Sequence, residues 1–182
     1  MDAYDCVTTL LDIRAFRAKP VSPEIKSKIL ESGRLTGSGI NTQHWHFVLI
    51  ENKDSLKTLA RDSTTGRWVI ESDFAIILLT DPKYGFHLID AGRAAQDMQL
   101  AAWSFGVSSC IFTGFHETDL RRDFEIPLIL SPSVVIGFGY SKRPISGKKK
   151  NRRELGELVS RDKYGILYEK ESSGVTPIRN AV

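Results

Sequence analysis

From Asp90 onward, Ala91, Ala94, Ala95, Met98, Ala101, Ala102 and Phe105 recur at the spacing of one helix face, and Gly106 stands where such a helix would be capped. A stripe so poor in side-chain volume lets another backbone approach closely, either inside the core or across an interface between two copies. Something flat must pack against it. Apolar, β-rich runs at 47–51, 74–80, 109–113 and 133–140 read as strands bounded by polar and turn residues. Helices are expected at 22–32, where Ser22, Pro23 and Glu24 give an N-cap, a first-turn proline and a first-turn acid, then at 55–61, and at 118–124 ahead of Pro127. The elements alternate irregularly. This order predicts an α+β domain with a mixed sheet rather than a regularly doubly wound one.

At 182 residues and 41% hydrophobic, the chain can bury one sizeable core. We assign residues 1–163 to one domain and 164–182 to a C-terminal extension able to wrap a neighbour, because apolar periodicity fades after Val159. The net charge of +3 comes from 25 basic and 22 acidic residues, and much of the excess sits at Lys148, Lys149, Lys150, Arg152 and Arg153. That run lacks interleaved aromatics, so it reads as a local anion site or a solvated loop rather than a nucleic-acid surface. Cys6 and Cys110 form neither a close pair nor a framework, which suits a reducing compartment. With no signal-like start and no run long enough to span a bilayer, the expectation is a cytoplasmic protein without a membrane partner.

The sequence carries no Gly-x-Gly-x-x-Gly fingerprint opening a helix; Gly137 and Gly139 flank Phe138 inside a predicted strand. There is no phosphate-binding Walker loop, no Gly-x-Ser-x-Gly elbow, and no third ligand placed to join His44 and His46 at a metal. Any redox or transfer chemistry therefore calls for a cofactor. The loop Thr36, Gly37, Ser38, Gly39, Ile40, Asn41, Thr42, Gln43, His44, Trp45 has no helical or alternating period. Its hydroxyls, glycine backbone and the amides of Asn41 and Gln43 can present donors and acceptors to a planar polar ligand, with Trp45 as the anchor.

Several segments fall in one order along residues 10–160: Arg14, Phe16, Lys19, Pro20 and Val21; the loop at 38–45; Asp90-Ala91-Gly92 with Ala94-Ala95-Gln96; the run 106–115; and the strand at 137–140 with the Lys/Arg tract after it. Together they resemble the FMN-dependent nitroreductase family. The resemblance implies a mixed, largely antiparallel sheet flanked by helices, in an intertwined homodimer that binds FMN across its interface. It implies an oxidoreductase that passes hydride from NADH or NADPH through flavin N5 to a small acceptor such as a nitroaromatic or quinone. Arg14 would face the pyrimidine edge of the flavin, where positive charge favours the reduced ring. Ser38, Gly39, Asn41 and Gln43 would reach the flavin of the other subunit, Thr113 and Gly114 would lie at N5, and Lys150 and Arg152 would hold the phosphate.

The chain departs from that family in places. Leu10, Leu11 and Asp12 stand where the family usually has two basic residues and a serine on the phosphate and ribityl chain. His44 replaces a customary proline, and the Asn and Lys that many members carry are missing around 65–68. The phosphate grip is thereby expected to move to Lys150, Arg152 and Arg17. The alternative reading is a non-catalytic flavin- or ligand-binding homologue.

Overall fold

Every residue of the strand Phe74–Thr80 (β2) is buried, so this strand must lie inside a sheet covered on both faces. The computed structural model describes residues 1–144 and 150–168. They fall into two compact units, Met1–Lys148 and Lys149–Val182. In the first, Trp45–Ile50 (β1), β2, Ser108–Phe112 (β3) and Ser131–Gly139 (β4) form a sheet in the order β1-β2-β4-β3, antiparallel at each pairing. The α+β expectation holds. Among the described residues the sheet is not mixed; parallel pairing is confined to an isolated bridge between Asp12 and Ser109.

The two-residue period of β2 divides the interior into two cores. Phe74, Ile76 and Leu78 face one side with Val134, Ile136 and Phe138, under Pro23–Leu35 (α2) and His87–Ser104 (α4). Ala75, Ile77 and Leu79 face the other, with Leu56 and Leu59 of Lys53–Arg61 (α3), Val69 of the 3-10 turn Arg67–Glu71, and Leu120 of Glu117–Asp123 (α5). Phe74 pairs in register with Phe138, and their rings stack 4.7 Å apart. Pro132 lies where the β2–β4 register shifts, between Leu78 and Leu79, as suits a residue with no amide to give the ladder.

The small stripe of α4 packs inside the chain. Ala91, Ala94, Ala95, Met98 and Ala102 are buried in the first core with Ile29 of α2, which decides between the core and interface readings. Ser22 caps α2 by accepting the Ile25 amide, and Gly106, at φ +73°, ends α4 in the left-handed conformation that glycine adopts at least cost. Gly137 and Gly139 leave room on the opposite face of β4 for the rings of Trp68 and Phe16, so this Gly-x-Gly serves packing. One helix escaped the sequence reading: Ala3–Thr9 (α1), opened by a capping box between Asp2 and Asp5 and tied to α4 by Trp103 Nε1 donating 2.9 Å to Thr9 Oγ1.

The second unit holds the four-residue helix Leu155–Leu158 (α6) and a bridge between Ser160 and Leu167. Lys148 and Lys149, and the 164–182 extension beyond residue 168, lie outside the described residues. No helix among the described residues is long and apolar enough to cross a membrane.

Candidate functional site

Residues 12–17 run across the ends of β3 and β4: the Ile13 amide donates to Ser109 O at 2.9 Å, the Arg17 amide to Tyr140 O at 2.8 Å, and Lys142 N to Ala15 O at 3.0 Å. This lays Arg14 over β3, where its Nε donates to Cys110 Sγ at 3.4 Å. Its terminal nitrogens have no partner among the described residues, and the side chain is exposed at the surface. Burial pushes the Cys110 thiol above its ordinary value, against the opposing pull of the Arg14 guanidinium, so at neutral pH Arg14 rests on a neutral sulfur and keeps its charge for other use.

After β3 the chain turns through Thr113, which is exposed, to Gly114. The Gly114 carbonyl accepts from the amides of Thr64 (2.9 Å) and Thr65 (3.3 Å), and a bridge between Ser63 and Phe115 continues the pairing. A Cβ on Gly114 would collide with Oγ1 of both threonines. The absence of a side chain at Gly114 thus serves the packing of the 64–65 turn within the chain. Gly114→Ala should destabilise the fold by about 1–3 kcal/mol, as overpacking does. A urea titration reads this as a lowered midpoint at unchanged slope.

The loop at 38–43 is built at the other end of α4. Ile40, Asn41 and Gln43 have φ of 53°, 56° and 47°, three non-glycine residues in left-handed backbone. Each costs roughly 1 kcal/mol, most for the β-branched Ile40. Two devices offset this. Ser38 Oγ accepts the Gln43 amide at 3.0 Å, closing the loop and leaving its own proton available to donate. Asp90, buried in the first turn of α4, accepts the Gly39 amide at 2.9 Å and His44 Nε2 at 3.2 Å on the same oxygen. Hydrogen bonds to an ionised group contribute about 1.5–3 kcal/mol each, enough to outweigh the strain. A carboxylate only accepts, so His44 Nε2 carries the proton. The imidazole lies among Tyr84, Phe86 and Trp45, with ring centroids 5.0, 5.9 and 6.1 Å away. His46 is exposed, so the two histidines serve different surroundings. The expected anchor, Trp45, packs on the first core and stacks on Phe47.

Within the first unit, the predicted site residues are anchored to α4 at different points. Ser38, Gly39, Asn41 and Gln43 are tied to α4 at Asp90. The segment carrying Arg14 is tied to it through Asp12, which accepts from Gln99 Nε2 at 3.4 Å, and Gln99 also donates to Ser109 Oγ. Nine residues of helix, about 13 Å along its axis, separate these anchors. Lys150 and Arg152 belong to the second unit, where Arg152 donates to the Asn151 carbonyl at 2.9 Å. Leu10 terminates α1, and Asp12 is engaged by Gln99, so two of the departures from the family pattern have structural duties here.

A family model described as Nitroreductase family matches residues 12–73 and 65–140 of this chain. The chain belongs to the nitroreductase family. A protein of Methanothermobacter thermautotrophicus, provisionally named NADH dehydrogenase/NAD(P)H nitroreductase, is 30% identical over 149 residues, covering 77% of this chain and 78% of that one. An identically named Archaeoglobus fulgidus protein is 26% identical, over 87% of this chain and 96% of the other. Among solved structures, an FMN-dependent nitroreductase from Clostridium difficile superposes with a TM-score of 0.79 at 23% identity, covering 87% of this chain and 98% of that one.

In this nitroreductase-family chain the sequence reading missed Asp90 as a structural centre, the seat of Arg14 on Cys110, and the Thr64–Gly114 pairing. Only the first left a signal. Asp90, Ala94, Met98 and Ala102 share one four-residue spacing and are all buried, and a carboxylate in a buried stripe demands partners.

Proposed function

We propose that this chain is an FMN-dependent oxidoreductase that takes hydride from NADH or NADPH and delivers it to a small electron acceptor of the nitroaromatic or quinone class, working as a homodimer. When bound, FMN supplies reversible hydride acceptance at N5. The observation that carries the reading is Arg14: a permanent cation seated by its Nε, with terminal donors open at the surface among the described residues. That donor set suits the electron-rich edge of a flavin ring. Thr113, exposed at the end of β3, supplies hydrogen bonding toward N5. The Ser38 hydroxyl proton and the Asn41 side-chain amide, which has no partner among the described residues, hold the ring from the partner's side, with Gly39 and Gln43 shaping the loop that presents them. Lys150 and Arg152 hold the phosphate.

The homodimer is supported by the separation of the two anchors along α4, since a second copy can bring its loop to the Arg14 end of the first. Exposed apolar side chains support it too: Leu88 and Ile89 in the first turn of α4, Ile40 in the loop clasped there, and Leu35 at the end of α2. A second reading, a flavin-binding homologue without turnover, is favoured by Leu10, Leu11 and Asp12, none of which can pair with a phosphate.

The deciding experiment is anaerobic titration of the FMN-saturated protein with NADH and with NADPH. Bleaching of the flavin band, and its return on adding a quinone, is the expected result. Stoichiometric FMN that never bleaches selects the second reading, and failure to bind FMN at all would falsify both.

A further inference from the structure

We propose that Asp90 is a positioning residue: through the Gly39 amide and His44 it clasps the 38–43 loop in the left-handed form that presents Ser38 and Asn41 to the ligand. The identity of that ligand rests on the flavin reading above; the clasp itself rests on geometry. Asp90 is 2% exposed, and its Oδ2 meets both Gly39 N and His44 Nε2. The opposite oxygen lies 3.7 Å from Nη1 of Arg93, whose other terminal nitrogen fills the space a Cβ on Gly37 would need.

The clasp is built on both sides. Phe86, the residue before α4, packs where Gly39 has no Cβ, 2.5 Å from where one would stand, so the Gly39 amide is presented to Asp90 with no side chain intervening. On the far side, His44 ends the loop just before β1, and its carbonyl accepts the Asp81 amide at 3.2 Å. The loop is therefore held at its second residue and just past its last by one carboxylate on a rigid helix. Between those points Ile40, Asn41 and Gln43 hold left-handed backbone around a right-handed Thr42, a strained course for residues with side chains. At the position where the family commonly has proline, rigidity comes here from a buried His44–Asp90 pair.

The test is amide exchange and NMR on the full-length flavin-free protein, followed by FMN titration. Asp90→Ala removes the acceptor, and exchange at Gly39, Asn41 and Gln43 should accelerate by about tenfold to a hundredfold while β2 amides keep their protection. FMN affinity should fall by a similar factor. Asp90→Asn retains an oxygen acceptor and should restore most of the protection, with the Gly39 proton moving upfield as the charge-assisted bond becomes neutral. His44→Phe keeps the ring and removes the donor, giving intermediate exchange.

Wild-type protection of Gly39 in Asp90→Ala overturns the proposal, as does an unmoved Gly39 resonance in Asp90→Asn. If Asp90→Ala does not fold, Asp90→Asn and His44→Phe decide by the same two signals. Wild type that binds no FMN, with Asp90→Ala still releasing the loop, sinks the flavin reading and upholds the clasp.

Discussion

Arg14→Gln is expected to lower the two-electron midpoint of bound FMN by on the order of 50 mV and to slow its reduction by NADH or NADPH about a hundredfold. A fixed positive charge at the N1–O2 edge interacts more favourably with the ring after it has gained negative charge. At 4 Å and an effective dielectric near 20 the Coulomb term is about 4 kcal/mol, so a fraction of it accounts for both numbers. Arg14 is exposed, and among the described residues its side chain makes one hydrogen bond, from Nε to Cys110, so the substitution should leave thermal stability near wild type. Arg14→Lys should recover part of the midpoint, because charge survives without the planar fork. The measurement is a redox titration of FMN-saturated wild type and variants at one pH. An unchanged midpoint in Arg14→Gln would remove the electrostatic role and leave Arg14 as a surface residue resting on a thiol.

Ile89→Asp is expected to weaken self-association at least a hundredfold, giving monomers at low micromolar concentration, and to lose FMN together with the dimer. Ile89 is 68% exposed in the protomer and its neighbour Leu88 60%, so a carboxylate at residue 89 costs the isolated fold little. Burying that charge between two copies costs far more. Light scattering across a dilution series, paired with flavin absorbance, reads both effects. A variant that stays dimeric would show that the interface lies elsewhere, and one that becomes monomeric yet keeps FMN would end the two-protomer site.

Local patterns carried most of the secondary structure. Ser22-Pro23-Glu24 opens α2, the run 74–80 is β2 to the residue, and Gly106 closes α4, because capping, burial on both faces and left-handed backbone each write a short-range signature. The 133–140 strand starts two residues early, at Ser131, since a proline at a register shift is tolerated and only the pairing shows where the shift lies. The helix Ala3–Thr9 was passed over although Asp2 and Asp5 spell its cap.

The resemblance to a family was legible because its segments keep one order along the chain, and Arg14 and the 38–45 loop were visible within it as residue types suited to a planar polar ligand. Which backbone the alanine stripe of α4 meets was not legible. Small residues permit close approach without naming the partner, and the fold spends the stripe on α2 and the sheet. Gly114 likewise announced only that a side chain was unwelcome; that Thr64 and Thr65 are the reason depends on residues some fifty positions away in sequence. The same holds for Asp90. Sequence places the Asp90 carboxylate at four-residue spacing from Ala94, Met98 and Ala102, while tertiary structure alone decided that it is buried and that Gly39 and His44 satisfy it, because a hydrogen bond across 46 or 51 residues leaves no periodic trace in the chain.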